Sequence, residues 1–202
     1  MFLIASLLLA ITPGPAVIYL VTRTLSQGRA AGLASVAGVA LGNLGNAAAA
    51  SLGLAVIFAV SGRAFTLVKL AGAIYLVYLG IRELRRAAAP RGARPEPHPA
   101  PRRRAFRDGF LVALLNPKTA LFFAAFLPQF VDPGRSPLAQ SLRLSAAFLS
   151  IAACTDTLYV LAADTLASRI AGLGGALGRY VTGFSFIALG IFVACSGSRS
   201  AR

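Results

Sequence analysis

Long runs without a single charged residue dominate the chain. From Phe2 to Thr22 there is none, and Arg23 and Arg29 close that run around a Ser26-Gln27-Gly28 turn. The next run, Ala30 to Gly62, holds 33 uncharged residues, about 50 Å as a helix. That exceeds a bilayer core and predicts a helix that is tilted, bent or frayed into its loops. Four more apolar segments follow: Ala64 to Ile81 with Lys69 near one end, Phe110 to Val131 with Lys118 inside, Ser145 to Ala163 with Asp156 inside, and Tyr180 to Ser198 without charge. One membrane span needs about 20 such residues. The pattern therefore predicts an all-α polytopic membrane protein with six transmembrane helices. Met1-Phe2-Leu3-Ile4 has no basic flank and no small-residue cleavage site follows, so the first run reads as a retained span, not a signal peptide.

One segment breaks the pattern. Pro90, Pro95, Pro97, Pro99 and Pro101 oppose helix formation between the third and fourth runs. Nine of the 20 basic residues lie between Arg82 and Arg107, and they keep this stretch out of the bilayer. A basic run tethered to spans at both ends is a topology signal rather than a nucleic-acid site. The positive-inside rule puts the 82–107 loop in the cytoplasm, in contact with anionic lipid, and six spans then put both termini outside. His98, alone in this segment, reads as solvated.

Composition agrees. At 57% hydrophobic and 13% charged, the chain is far from the roughly 25% charge of a soluble domain, which excludes a soluble enzyme, a coiled coil or a disordered protein. Cys154 and Cys195 form neither a disulfide framework nor a metal-ligand spacing and read as small packing residues. No cofactor is implied.

Two halves resemble each other. The first span contains Ile11-Thr12-Pro13-Gly14-Pro15 and the fourth Leu115-Asn116-Pro117-Lys118-Thr119, 104 residues apart. Gly72 and Leu79-Gly80-Ile81 in the third span are echoed by Gly183 and Leu189-Gly190-Ile191 in the sixth. The second and fifth spans show no comparable match. Three spans per unit is an odd number, so the second copy enters the membrane upside down. Inverted repeats with interrupted helices at matching places mark the binding site of many secondary transporters. The expected layout is one transmembrane transporter domain over 1–202, with repeat 1 about 1–84, a basic Pro-rich cytoplasmic linker about 85–108, and repeat 2 about 109–202.

The chemistry concentrates at the interruptions. Pro13 cannot bond the carbonyl of Leu9, nor Pro15 that of Ile11, nor Pro117 that of Ala113, nor Pro128 that of Ala124. A free carbonyl in hydrocarbon costs several kcal/mol, so each must face protein, water or a ligand. Thr12 and Asn116 are placed to cap the helices that restart. Helix N-termini attract a carboxylate and freed carbonyls an ammonium. Thr12, Pro13, Gly14, Pro15, Asn43, Asn116, Pro117 and Lys118 are therefore the candidate substrate-binding residues. The alternative at each break is a proline kink satisfied by neighbouring helices. Asp156, the only carboxylate deep in a span, is the candidate proton carrier. Lys118 either binds a carboxylate or pairs structurally with Asp156, whereas Asp164 and Lys69 sit near span ends, where solvation or snorkelling suffices. In the second span Gly38 and Gly42 form G-x-x-x-G, read as close helix packing. Asn43 and Asn46 divide between interhelical hydrogen bonding and pore lining.

These residues resemble the LysE/RhtB family of amino-acid exporters, over nearly the whole chain. The resemblance rests on Thr12-Pro13-Gly14-Pro15, on Gly38 to Asn43, on Lys69-Leu70-Ala71-Gly72-Ala73 with Tyr75-Leu76 and Tyr78-Leu79-Gly80-Ile81, and on Gly109-Phe110 through Asn116-Pro117-Lys118 to Phe126-Leu127-Pro128-Gln129-Phe130. It implies secondary active export of neutral, homoserine- or threonine-like amino acids across the bacterial inner (plasma) membrane, coupled to protons. The chain departs from the family in having only about 11 residues before Thr12-Pro13. The expected partners are an amino-acid substrate, protons and the lipid bilayer, with a homodimer allowed and no nucleic acid. The competing reading is a cation or metal carrier or channel of the same fold; an intramembrane enzyme lacks a nucleophile with a base, and the buried charges argue against a purely structural subunit.

Overall fold

The computed structural model describes residues 1–51, 62–88, 102–132, 134–169 and 176–195. Among these it contains eight helices and no strand: α1 (Phe2–Ile11), α2 (Pro15–Gln27), α3 (Arg29–Ser51), α4 (Gly62–Ala88), α5 (Arg102–Leu114), α6 (Pro117–Leu121), α7 (Pro137–Arg169) and α8 (Ala176–Cys195). α6 continues through a π-helical turn, Phe122–Phe126, and a 3₁₀ turn, Leu127–Phe130.

Among the described residues two unbroken stretches, Arg29–Ser51 and Pro137–Ala167, are long and apolar enough to cross a membrane. α1 with α2, and α5 with Pro117–Phe130, reach that length as pairs bent by 45° and 47°. Leu3, Ile4, Leu7 and Leu8 of α1, Ile74 of α4 and Phe192 of α8 lie on the outside of the bundle. Such a surface is stable against lipid rather than water, and the chain is a polytopic membrane protein.

Both expected interruptions are present, at Thr12–Gly14 and at Leu115–Asn116. Several boundaries differ from expectation. The second span, expected over 30–62, is helical from Arg29 to Ser51, and its last part lies outside the described residues. The unusually long helix is α7, 33 residues against the expected Ser145 to Ala163. The fourth span begins at Arg102, inside the stretch assigned to the linker, because no proline follows Pro101 until Pro117 and because Asp108 and the Ala105 carbonyl are tied to α2, as set out below. The linker prolines and His98 lie outside the described residues. Cys154 and Cys195 are exposed and form no disulfide among the described residues, so they are not the core packing residues expected. Lys69 is buried, not snorkelling, since it shares the inward stripe of α4 with Ala73 and Leu76.

The turn between α2 and α3 shrinks to Gly28 alone, at φ 81° and ψ 173°. That is a conformation essentially confined to glycine. The most extensive helix interfaces are α3 on α5 and α4 on α8, followed by α3 on α7. Both of the first two are built from small residues. A Cβ on Gly38 would stand 2.0 Å from the Phe106 carbonyl oxygen, and one on Gly42 2.5 Å from that of Phe110. Likewise a Cβ on Gly80 would stand 2.6 Å from the Gly183 carbonyl oxygen. The expected G-x-x-x-G packing is therefore backbone against backbone. Gly72 serves differently: its bare face admits the Leu115 carbonyl of the second interruption, 2.5 Å from where a Cβ would lie.

Candidate functional site

The two interruptions meet. Three carbonyls freed by proline each have a donor. Lys118, on the first turn of α6, donates from Nζ to the Leu9 carbonyl at 2.8 Å and also to the Thr12 carbonyl. Tyr159 of α7 donates its hydroxyl to the Ile11 carbonyl at 2.6 Å. Asn46 of α3 donates from Nδ2 to the Ala113 carbonyl at 2.9 Å, which makes Asn46 the interhelical tie. Asn116 caps α6, its Oδ1 accepting from the Lys118 backbone N–H at 3.1 Å. Thr12 does not cap α2. Its hydroxyl turns back to donate to the Leu8 carbonyl at 2.7 Å, and Gly14 occupies the N-cap position before Pro15. The helix that Thr12 ends competes for its side chain at shorter range than the helix that restarts two residues later.

Around this junction lies a cavity of about 40 Å³, lined by Leu9, Ala10, Gly14, Ala16, Val17, Asn43, Asn116, Lys118, Thr119, Phe148, Ala152 and Asp156. Gly14, Asn43, Asn116, Lys118 and Asp156 are thus brought together. Thr12 reaches the site only through its carbonyl on Lys118. Pro13 and Pro15 line a neighbouring, mostly apolar groove of about 460 Å³ against Ser185, Leu189 and Phe192 of α8. Pro117 occupies the first position of α6 and lines neither space. Asp156 is 6% exposed and makes neither a hydrogen bond nor an ion pair among the described residues, although Lys118 lies within electrostatic reach. The expected alternative of a closed Lys118–Asp156 pair is not formed: the ammonium rests on neutral carbonyls. The junction therefore presents one cation, one carboxylate and the amide-rich start of α2 to a single small space.

Two further clusters lie toward opposite ends of the broken α1–α2 pair, and one of them went unread in the sequence. Arg23, nine residues beyond the first interruption, is 1% exposed. It donates to Asp108 Oδ2 at 2.7 Å and to Tyr19 Oη at 3.2 Å, and its Nη1 lies 3.5 Å from Glu83 Oε1. Arg82 also donates to Asp108 Oδ2, and Tyr75 donates to Asp108 Oδ1 at 3.1 Å. Tyr19 in turn donates to the Ala105 carbonyl at 3.1 Å. Glu83 and Asp108 are 1% and 0% exposed, so this is a buried ionic network joining α2, α4 and α5. Its signal was that Glu83 and Asp108, two of only six acidic residues, lie within or directly beside the basic cluster. At the other end Phe2, Phe122, Phe126, Phe130 and Phe148 pack ring against ring in stacked, tilted and edge-to-face pairs, with centroids 4.9–5.8 Å apart. The π-helical turn that carries Phe122 and Phe126 is the kind of irregular helix that recurs at functional sites.

The family of LysE type translocators matches residues 7–197. The chain belongs to that family. It is a membrane transporter, not an enzyme. It is 34% identical to a homoserine/homoserine lactone efflux protein of Salmonella typhimurium over 85% of this chain and 82% of the relative. It is 31% identical to a membrane protein of Vibrio cholerae serotype O1 over 89% and 82%, and 27% identical to a leucine efflux protein of Salmonella choleraesuis over 65% and 62%. No solved structure matches the chain.

Proposed function

We propose that this translocator is a proton-coupled exporter of neutral amino acids, homoserine- or threonine-like, in the bacterial inner membrane. The observation that carries this is the convergence of both helix interruptions on one cavity lined by Lys118 and Asp156. Lys118 spends two of its three ammonium protons on Leu9 and Thr12. The third, with the first N–H groups of α2, takes the substrate carboxylate. Asp156 takes the substrate ammonium or, in its absence, a proton. Because one carboxylate cannot hold both, outward movement of the amino acid alternates with inward movement of a proton. The efflux relatives support the substrate class and direction.

At about 40 Å³ the cavity has room for water and must widen before an amino acid binds. The ionic network, on the same side as the basic cluster, is the cytoplasmic closure, and the phenylalanine cluster is the outer one. An inverted repeat explains the helix pairing. Exchanging the halves maps α3 on α5 onto α7 on α1, and maps α4 on α8 onto itself. Alternating access is then a rocking of one half against the other.

The test is transport in reconstituted vesicles. An imposed proton gradient should drive uptake of homoserine or threonine in exchange for protons, and Asp156→Asn should abolish gradient-driven accumulation. Accumulation by that variant at the parental rate would remove Asp156 from coupling. Absence of any amino-acid movement, with cation flux instead, would sink the exporter reading.

A further inference from the structure

Lys118 and Asp156 address the carboxylate and ammonium that every α-amino acid carries. Discrimination among substrates must come from the rest of the lining. Leu9, Ala10, Val17, Phe148 and Ala152 offer only apolar surface, the Asn116 side-chain oxygen is used in its cap, and Thr119 brings a hydroxyl that can turn to donate or accept and so does not select for a donor. Asn43 differs. It is 5% exposed, and its Oδ1 is buried without a hydrogen-bond donor. The other buried side-chain polar atoms without a partner among the described residues belong to Ser6, Gln27, Arg82 and Ser145, none of which borders the cavity. Asn43 is also held firmly in place. Its neighbour Gly42 lies against the α5 backbone, and Asn46, one turn on, is tied to the Ala113 carbonyl.

We propose that Asn43 is the specificity-determining residue of the cavity, its side-chain carbonyl accepting a hydrogen bond from a hydroxyl on the side chain of the transported amino acid. A buried acceptor left unpaired is costly, and a site built around one rejects an analogue that lacks the matching donor far better than an apolar pocket rejects an extra group. A hydroxylated aliphatic amino acid satisfies both parts of the lining: carbons against Leu9, Val17 and Phe148, and the hydroxyl on Asn43. This rests on the exporter reading above and names the feature that its substrate must carry.

The test uses two solute pairs that differ only by a methyl in place of a hydroxyl, homoserine against norvaline and threonine against valine, in vesicles containing the full chain. The parent should prefer the hydroxylated member of each pair by about tenfold. Asn43→Leu should level or invert that preference, with gel filtration in detergent as the folding control. Should Asn43→Leu move neither solute, Asn43→Ala carries the same comparison. Equal loss of both members, with their ratio unchanged, would assign Asn43 to structure and overturn the proposal, as would a parent that does not distinguish them. A parent that moves no amino acid overturns the exporter reading itself, so the two failures are told apart.

Discussion

Replacing Asp108 by alanine tests the ionic network directly. The Asp108 carboxylate is fully buried and accepts from Arg23 at 2.7 Å, from Arg82 and from Tyr75 at 3.1 Å. Truncation removes all three hydrogen bonds at once. It leaves the buried Arg23 with Tyr19 at 3.2 Å and Glu83 at 3.5 Å, the latter at the long end of a hydrogen bond and shared with Arg86. Removing one member of a buried ion pair costs about 3–5 kcal/mol, mostly as the penalty of the charge left behind. Asp108→Asn keeps the shape and an acceptor for Tyr75 and should cost less than the alanine variant. The assay is the unfolding temperature in detergent. With about 2–4 °C per kcal/mol for a chain of this size, Asp108→Ala should fall by about 6–20 °C. Combining it with Arg23→Met, which removes the stranded charge, should recover part of the loss. An Asp108→Ala protein that unfolds within a degree of the parent would refute the network as a buried, charged contact between α2, α4 and α5.

Three further expectations follow from the junction and the packing. Gly38→Val places branched carbon where the Phe106 carbonyl already lies 2.0 Å from a single Cβ, so α3 must leave α5; a loss of at least about 3 kcal/mol should appear as absence of folded protein on gel filtration. Tyr159→Phe leaves the Ile11 carbonyl without its donor and should cost about 1–3 kcal/mol in detergent stability, together with slower transport. Exchanging the charges in Lys118→Asp with Asp156→Lys should not restore transport in vesicles, since a carboxylate at position 118 would face the Leu9 and Thr12 carbonyls.

What could be read from the chain was what proline enforces. A residue that cannot donate frees a known carbonyl, and the carbonyls of Leu9, Ile11 and Ala113 were found with donors drawn from elsewhere in the fold. The glycine spacing of α3 was legible for the same local reason. The occupancy of Thr12 was not, because two helix ends competed for one hydroxyl and range decided between them. Arg23 was read as the polar end of a span. Its burial depends on Glu83 and Asp108, 60 and 85 residues away, and no local pattern encodes such a meeting. The start of α5 was missed for a related reason: a run of arginines reads as solvated loop until Asp108 and Tyr19 are seen to anchor it.

The resting place of Lys118 bears on how such a site works. Two opposite charges in one small, poorly hydrated space attract strongly, and a closed Lys118–Asp156 pair would satisfy both without any solute. A zwitterion would then have to break that pair before binding, and the site would gain little from its arrival. By holding the ammonium on two carbonyls that Pro13 and the unwound turn release, the interruption keeps the charges apart. The carboxylate of Asp156 then needs a cation that the protein does not itself provide. In the proposed exchange a proton meets that need, and so does the ammonium of an amino acid, but not both together. The broken helix thus does more than make room. It prevents the site from neutralising itself, and that is the condition for two ligands to exclude each other on one carboxylate.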